Sequence, residues 1–271
     1  MSKTQQTLPQ TLHQILHQTL SNWQAWQTDK GAIASQPQVV RELLGGKTNR
    51  SFLVASGAFR AVVRVNAANS EDLGIDRDRE RKILQRLQPT GYVPKLFFSS
   101  DQVLVSDYCE GRQWTQADLA ADINRRAVNT MLEQIQSIAV PDLQPRNYAD
   151  YCSAYISQLD QSQLNQSLVD GALVAGTLVE TILSAARAID NSDWKAVISH
   201  HDLVAENIIV SADGLILLDW EYAAMGHPAL DYIRLYQSDL RSTNLPYEIE
   251  TLKQLAIVQH GMDDLWLLVQ G

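Results

Sequence analysis

Two short stretches carry residues of the types and spacing that chemistry needs. They are Ser199-His200-His201-Asp202-Leu203-Val204-Ala205-Glu206-Asn207 and Leu217-Leu218-Asp219-Trp220-Glu221. The spacing His200-x-Asp202-x4-Asn207 supplies a carboxylate and an amide oxygen from one loop. Mg²⁺ takes hard oxygen ligands and keeps several waters, so one carboxylate and one amide oxygen from the protein suffice. Phosphoryl transfer adds few demands: an in-line hydroxyl, a carboxylate to orient it and take its proton, and metal ions bridging the phosphates. Asp202 suits the proton-taking role, and Asn207 with Asp219 suits the metal. His200 reads as a scaffold residue that bonds backbone. His201 and His227 read as loop residues without chemistry, and Glu206 as solvated.

Rigid elements must bring these groups together. Asn207-Ile208-Ile209-Val210 reads as a strand, Ala212-Asp213-Gly214 as a turn, and Leu215-Ile216-Leu217-Leu218 as the returning strand. The hairpin returns Asp219 to the end where Asp202 and Asn207 sit. Val197-Ile198, after Trp194 and Lys195, reads as the strand entering the loop. An isolated Asp-x4-Asn is ordinarily a loop cap. Here His200 precedes it, Asp219 follows an apolar strand, and Asp231 closes Gly226-His227-Pro228-Ala229-Leu230-Asp231. Asp231 reads as a brace for the loop.

The pattern His-His-Asp-x4-Asn with a later Asp resembles the protein-kinase loop, His-Arg-Asp-x4-Asn followed by Asp-Phe-Gly. Gly-His-Pro-x-x-Asp is not a protein-kinase feature. From about Leu43 to about Tyr236 the chain instead resembles the aminoglycoside phosphotransferase and choline kinase superfamily. Asp219-Trp220-Glu221-Tyr222-Ala223 is similar to the segment found in choline and ethanolamine kinases, with thiamine kinases alike and aminoglycoside enzymes usually different. The resemblance implies an α+β, two-lobed protein-kinase-like fold, with a small antiparallel-sheet N-lobe and a mainly helical C-lobe. It implies residues 1–108 as a nucleotide-binding lobe with an N-terminal helix, and residues 109–271 as the lobe carrying the catalytic and metal loops. It implies ATP and Mg²⁺ as cofactors and a small hydroxyl compound as acceptor. A quaternary ammonium favours aromatic faces and a carboxylate, which Trp220, Glu221 and Tyr222 supply, with Tyr232 and Tyr236 as further candidates; core packing competes for each aromatic. Thiamine, an aminoglycoside or a sugar is the alternative acceptor. A nucleotide-binding regulatory protein without turnover is the alternative of another class.

Upstream residues read as what a nucleotide needs. Gly45-Gly46-Lys47-Thr48-Asn49-Arg50-Ser51 lies between Gln38–Leu44 and the strands Phe52-Leu53-Val54 and Ala61–Val65, the latter two joined through Ser56-Gly57-Ala58. Glycine lets backbone N–H groups approach phosphate, which favours Gly46, and Thr48, Asn49 and Ser51 add donors. The loop is neither a Walker loop nor G-x-G-x-x-G; it resembles the Gly-Gly-x-x-Asn loop of choline kinase-like proteins. Arg64 stands where the superfamily usually has a phosphate-pairing Lys, and a guanidinium keeps that role. Glu80 is its expected partner, with Asp76 as fallback. Asp76–Leu84 reads as a helix with Ile83, Leu84 and Leu87 buried and Arg77, Arg79, Arg81 and Lys82 solvated. Val93–Phe98 and Gln102–Tyr108 read as strands. Asp107 and Cys109 then fall at a hinge whose backbone would hold adenine, since Leu-Val-Ser-Asp-Tyr-Cys-Glu-Gly-Arg is similar to the superfamily's hinge.

The 271 residues are 45% hydrophobic with a formal net charge of −9. That is ordinary for a globular chain long enough for two lobes sharing a cleft. The charge argues against a nucleic-acid partner and suits a cationic acceptor. Cys109 and Cys152 stand far apart in no metal-like spacing, as in a reducing cytoplasm. No apolar run reaches membrane-spanning length, and the first residues lack the pattern of a signal peptide. Thr7–Trp26 is Gln-rich but places Leu8, Leu12, Ile15, Leu16, Leu20 and Trp23 at helical spacing. His13 and His17, at i and i+4, lack a third ligand and read as solvated. Further helices read over Thr115–Val140, Tyr148–Leu159 and Leu173–Ala188. Asp263, Trp266 and Leu268 close a terminal one. The chain ends early beside many choline kinases.

Overall fold

The computed structural model describes residues 10–28, 31, 33–44, 48–159, 175–237 and 245–270. The chain divides into two compact units, one of Met1–Ser70 with Val93–Glu110, the other of Glu71–Tyr92 with Gly111–Gly271.

The first unit is a helix on an antiparallel sheet. Helix α1 spans Gln10–Ser21; strands β1 (Gln38–Leu43), β2 (Arg50–Ser56), β3 (Phe59–Val65), β4 (Leu96–Ser99) and β5 (Val103–Asp107) run in the order β1-β2-β3-β5-β4. Alternation decides which face is covered. Phe52 and Val54, Ala61, Val63 and Val65, and Val103 and Val105 pack with Leu16 and Leu20 of α1 and with Trp26 and Phe97. Gly57 and Ala58 close the β2–β3 hairpin, with Gly57 at φ +60°, a left-handed conformation that costs glycine nothing.

Among the described residues the second unit holds the helices α2 (Arg77–Leu87), α3 (Asp122–Gln136), α4 (Tyr148–Ile156), α5 (Ala175–Asp190), α6 (Leu230–Tyr236) and α7 (Ile249–Gln270). Its strands are β6 (Arg112–Gln113), β7 (Val197–Ser199), β8 (Ile208–Ser211), β9 (Gly214–Leu217) and β10 (Ala224–Gly226), paired as β6-β8-β9 and β7-β10. Tyr148, Cys152 and Tyr155 of α4 pack with Ile182 and Ile189 of α5, Ile233 of α6, and Leu255 and Val258 of α7. No helix among the described residues is long and apolar enough to cross a membrane.

Two sequence expectations need correction. The stretch Thr115–Val140 is not one helix. A 3-10 turn over Gln116–Ala120 ends at Ala121, which is extended, and α3 then runs only to Gln136. The cause is local: Asn124 Nδ2 donates to Asp118 O and Arg125 Nε to Leu119 O, each at 2.8 Å, so side chains of α3 take the carbonyls that a continuous helix would use. Arg77 and Arg79 are not solvated either. Ile83, Leu84 and Leu87 are buried as their spacing predicts, Glu80 is buried with them, and both arginines turn inward to protein acceptors.

Candidate active site

Strand β7 delivers the loop. Ser199 ends it, paired with Ala224 of β10. Asp231, in the first turn of α6 and 1% exposed, then grips the loop. It accepts from Ser199 Oγ at 3.0 Å, His200 N at 2.8 Å and His201 N at 3.0 Å. Burial pushes its carboxyl pKa up, against the pull of His200 and of those three donors. His201 sits at φ 64°, a left-handed conformation rare outside glycine. Gly226 makes room for its ring, since a Cβ there would lie 2.5 Å from His201 Cε1.

His200 fixes the turn. Its Nε2 lies 2.7 Å from Leu218 O, and its Nδ1 accepts from Asp202 N at 3.3 Å. A carbonyl only accepts, so the neutral ring carries its proton on Nε2. The ring packs 4.7 Å from Trp220. These bonds tie the loop before Asp202 to the strand before Asp219.

Asn207 and Asp219 arrive as the hairpin dictates. Leu218 N donates to Asn207 O at 2.8 Å, and Ile208 pairs with Leu217, so Asp219 is one residue beyond the position facing Asn207. Asn207 Nδ2 donates to Asp202 O at 2.9 Å. That fixes the amide's orientation and leaves Oδ1 as an acceptor with no hydrogen bond among the described residues. Asp219 is exposed at φ 63°, ψ 59°. Left-handed non-glycine residues gather at functional sites, and aspartate tolerates this region better than most. Among the described residues no group of three or more His, Cys, Asp or Glu could hold a metal. One amide and one carboxylate oxygen fit a hydrated Mg²⁺ and not a soft metal needing a full protein cage.

Asp202 is half-buried, and its Oδ1 takes a hydrogen bond from Arg234 Nη2 at 2.8 Å. Arg234 Nη1 also bonds Asp263 Oδ2. Burial lowers the guanidinium pKa but the two carboxylates outweigh it, leaving the pKa raised. Asp263 is pushed up by its own burial. Sequence reading left both roles unseen. A signal existed for Arg234: it follows Asp231 by three residues on one short helix and so shares its face.

The segment after Asp219 is braced from behind. Glu221, 3% exposed, accepts from Arg77 Nη1 at 3.1 Å, and Arg77 also bonds Glu80 Oε2 at 3.0 Å. Arg79 Nε donates to Ala223 O at 2.8 Å, and Arg146 Nη2 to Tyr222 O at 3.1 Å. Burial, with the charge of Arg146, draws Arg79 down to about 10. Trp220, 2% exposed, donates to Leu217 O at 3.0 Å. Tyr222 is half-buried and its hydroxyl accepts from Trp266 Nε1 at 2.8 Å. Tyr232 and Tyr236 are buried.

In the first unit, Gly46 lies outside the described residues. Asn49 is buried and accepts from Ala67 N at 3.1 Å. Thr48 and Ser51 are half-buried, and Ser51 pairs across the sheet with Arg64. Arg64 Nε donates to Asn66 Oδ1 at 3.1 Å, and Asn66 Nδ2 to Asp101 O at 2.9 Å, so Asn66 orients the guanidinium. Asp107 ends β5, half-buried, and Cys109 follows with Sγ 3.9 Å from Asp107 O. In the second unit, Asp76 caps α2, accepting from Arg79 N at 2.9 Å.

Two histidines beside the loop predict a pH dependence of stability. His227 is buried, with Nδ1 accepting from Ala229 N at 3.1 Å, and burial lowers its pKa from 6.5 to about 4. Burial also holds His201 well below 6.5. The unfolded chain takes up these protons before the folded one does. Their stabilising effect is therefore full above pH 6.5 and is lost as pH falls from 6.5 toward 4. His227→Asn keeps an acceptor for Ala229 N–H, and its fall in Tm over that window is shallower than that of the native chain. Parallel Tm curves for the two proteins would reject this cause.

Residues 40–254 match the family described as choline/ethanolamine kinase. Among solved structures, the choline kinase LicA from Streptococcus pneumoniae aligns with a TM-score of 0.73 at 18% identity, over 96% of this chain and 91% of that one. LicA has also been solved in complex with AMP. The ethanolamine kinase of Plasmodium vivax aligns at 0.67 and 15% identity, over 100% and 90%. An aminoglycoside-3'-phosphotransferase of type VIII aligns at 0.61 and 13%, over 95% and 100%. At such identities the likeness is one of fold, and the chain has the protein-kinase-like α+β fold. No curated protein sequence matches it.

Proposed function

We propose that this chain, which belongs to the choline/ethanolamine kinase family, moves the γ-phosphoryl group of MgATP to the hydroxyl of a small cationic alcohol such as choline or ethanolamine. Membership carries the coarser class: the chain is a small-molecule kinase, a phosphotransferase with an alcohol group as acceptor. The observation that supports transfer from MgATP is the loop itself, while the cationic acceptor rests on the likeness of Asp219-Trp220-Glu221-Tyr222-Ala223 to the segment of choline and ethanolamine kinases. Asp202 stands between backbone fixed by Asp231 and His200 and an Asn207 whose amide oxygen faces away from its own hydrogen bond.

In this reading Asp202 orients the acceptor hydroxyl and takes its proton. The hydroxyl oxygen attacks the γ-phosphorus in line, the bond to the β,γ-bridging oxygen breaks, and ADP leaves with the electron pair. Asn207 and Asp219 would hold Mg²⁺, which neutralises charge on the phosphates when bound. Arg64, oriented by Asn66, contacts phosphate; Glu80 is the partner that the sequence assigns to it. Gly46, Thr48, Asn49 and Ser51 line the phosphate loop, and the backbone around Asp107 and Cys109 takes adenine. His200 and Asp231 support the catalytic loop. We assign the acceptor's aromatic face to Tyr222, with Trp220 and Glu221 holding the segment that carries it. A cation over such a face, near carboxylates, is attracted by the ring quadrupole.

The test is ADP release from MgATP with choline, ethanolamine, thiamine, kanamycin and simple sugars supplied in turn. Stimulation by choline or ethanolamine is expected. Stimulation only by a sugar, or by none of them while MgATP still binds, would overturn the cationic-alcohol reading.

A further inference from the structure

A catalytic carboxylate must be aimed as well as present. The backbone of Asp202 is fixed, with its N–H on His200 Nδ1 and its carbonyl on Asn207 Nδ2. Those bonds leave the side chain free to turn. Among the described residues, the hydrogen bond made by its carboxylate runs to Arg234, at 2.8 Å on Oδ1. We propose that Arg234 is a positioning residue: it holds Oδ1 of Asp202 so that Oδ2 faces the acceptor hydroxyl, and Asp263 on α7 holds Arg234 in place to do so. This rests on the reading of Asp202 as the base.

Three features of the arrangement favour aiming over plain packing. Arg234 shares helix α6 with Asp231, three residues away, so one helix fixes both the loop backbone and the base carboxylate. Its side chain is 20% exposed and its guanidinium is divided between two carboxylates from separate elements. A planar fork, with its donors pre-organised, satisfies that geometry better than an ammonium does. Asp263 is held in turn, with Gln259 Nε2 3.4 Å from its Oδ1, one helical turn earlier on α7. The chain of contacts therefore runs from the last described helix to the reacting group. The triad sums to one negative charge, so it does not repel a cationic acceptor.

Four single variants, Arg234→Ala, Arg234→Lys, Asp263→Asn and Asp202→Asn, and the double variant Arg234→Ala with Asp263→Asn separate aiming from packing, each assayed for kcat, for KM of acceptor and of MgATP, and for Tm. A displaced base costs turnover and not ground-state binding, and misplacement by about an ångström can cost roughly 100-fold. Arg234→Ala is expected to lower kcat roughly 100-fold, with KM for MgATP within about twofold of the native value. Free guanidinium restores part of its rate, and Arg234→Lys recovers part as well. Asp263→Asn loses less, roughly tenfold, because Arg234 keeps its bond to Asp202. Adding it to Arg234→Ala costs little more, as expected when two residues act through one contact.

Native kcat in Arg234→Ala overturns the proposal. So does a loss of kcat accompanied by equal losses in MgATP affinity and Tm, with no response to guanidinium or to lysine, which is the pattern of a packing residue. The parallel Asp202→Asn assay tells the two ideas apart. If Asp202→Asn turns over normally, the base assignment fails and this inference falls with it. If Asp202→Asn is inactive and Arg234→Ala is normal, only the role of Arg234 fails.

Discussion

Asp202→Asn lowers kcat by about 1,000-fold, within the range that a positioned acid–base group supplies, and leaves MgATP binding intact. Asparagine is the informative change. Its amide oxygen still accepts from Arg234 Nη2, so the guanidinium keeps a partner. Alanine would leave that guanidinium facing Asp263 alone, with Nε already lacking a hydrogen bond among the described residues. A loss in the alanine variant would then mix chemistry with a buried charge half unpaired. Stopped turnover with a preserved nucleotide Kd assigns the proton to Asp202. A kcat within a few-fold of native in Asp202→Asn would remove that assignment.

Asp219→Asn has the second-largest expected effect. It raises the Mg²⁺ concentration needed for half-maximal rate and lowers kcat at saturating metal by roughly 100-fold, as expected when one charged ligand to a catalytic cation is lost. The substitution again matters. Asp219 sits at φ 63°, where asparagine is as comfortable as aspartate and alanine is not. Asp219→Ala would therefore strain the turn before Trp220 and blur a metal effect with a folding one. A titration of initial rate against Mg²⁺ checks this. An unchanged Mg²⁺ dependence would place the cation elsewhere.

The parts of this site that sequence made legible are those encoded over short separations. Asp202 and Asn207 lie five residues apart on one loop, and an apolar hairpin returns Asp219 beside them, so composition and turn chemistry suffice. The brace at Asp231 was legible from its place in Gly-His-Pro-x-x-Asp. Spacing fails where the partner is far along the chain. Arg77 and Arg79 sit in a run of alternating charge that reads as a solvated face. What buries them is the segment 221–223, 144 residues away, which offers a carboxylate and a carbonyl. Arg234 meets Asp202 and Asp263 across 32 and 29 residues, and no periodicity encodes either. Ala121 was hidden for the opposite reason. The apolar stripe continues through it, and side chains of α3 bonded to the carbonyls of Asp118 and Leu119 override the stripe.

Transfer to an alcohol is read out by ³¹P NMR of the complete reaction. Purified protein is incubated with ATP, Mg²⁺ and the acceptor that stimulates ADP release. The expected result is a phosphomonoester resonance that grows in step with ADP, is absent without Mg²⁺, and is lost in Asp202→Asn. ADP accompanied only by inorganic phosphate would contradict it, because water and not an alcohol would then be taking the phosphoryl group.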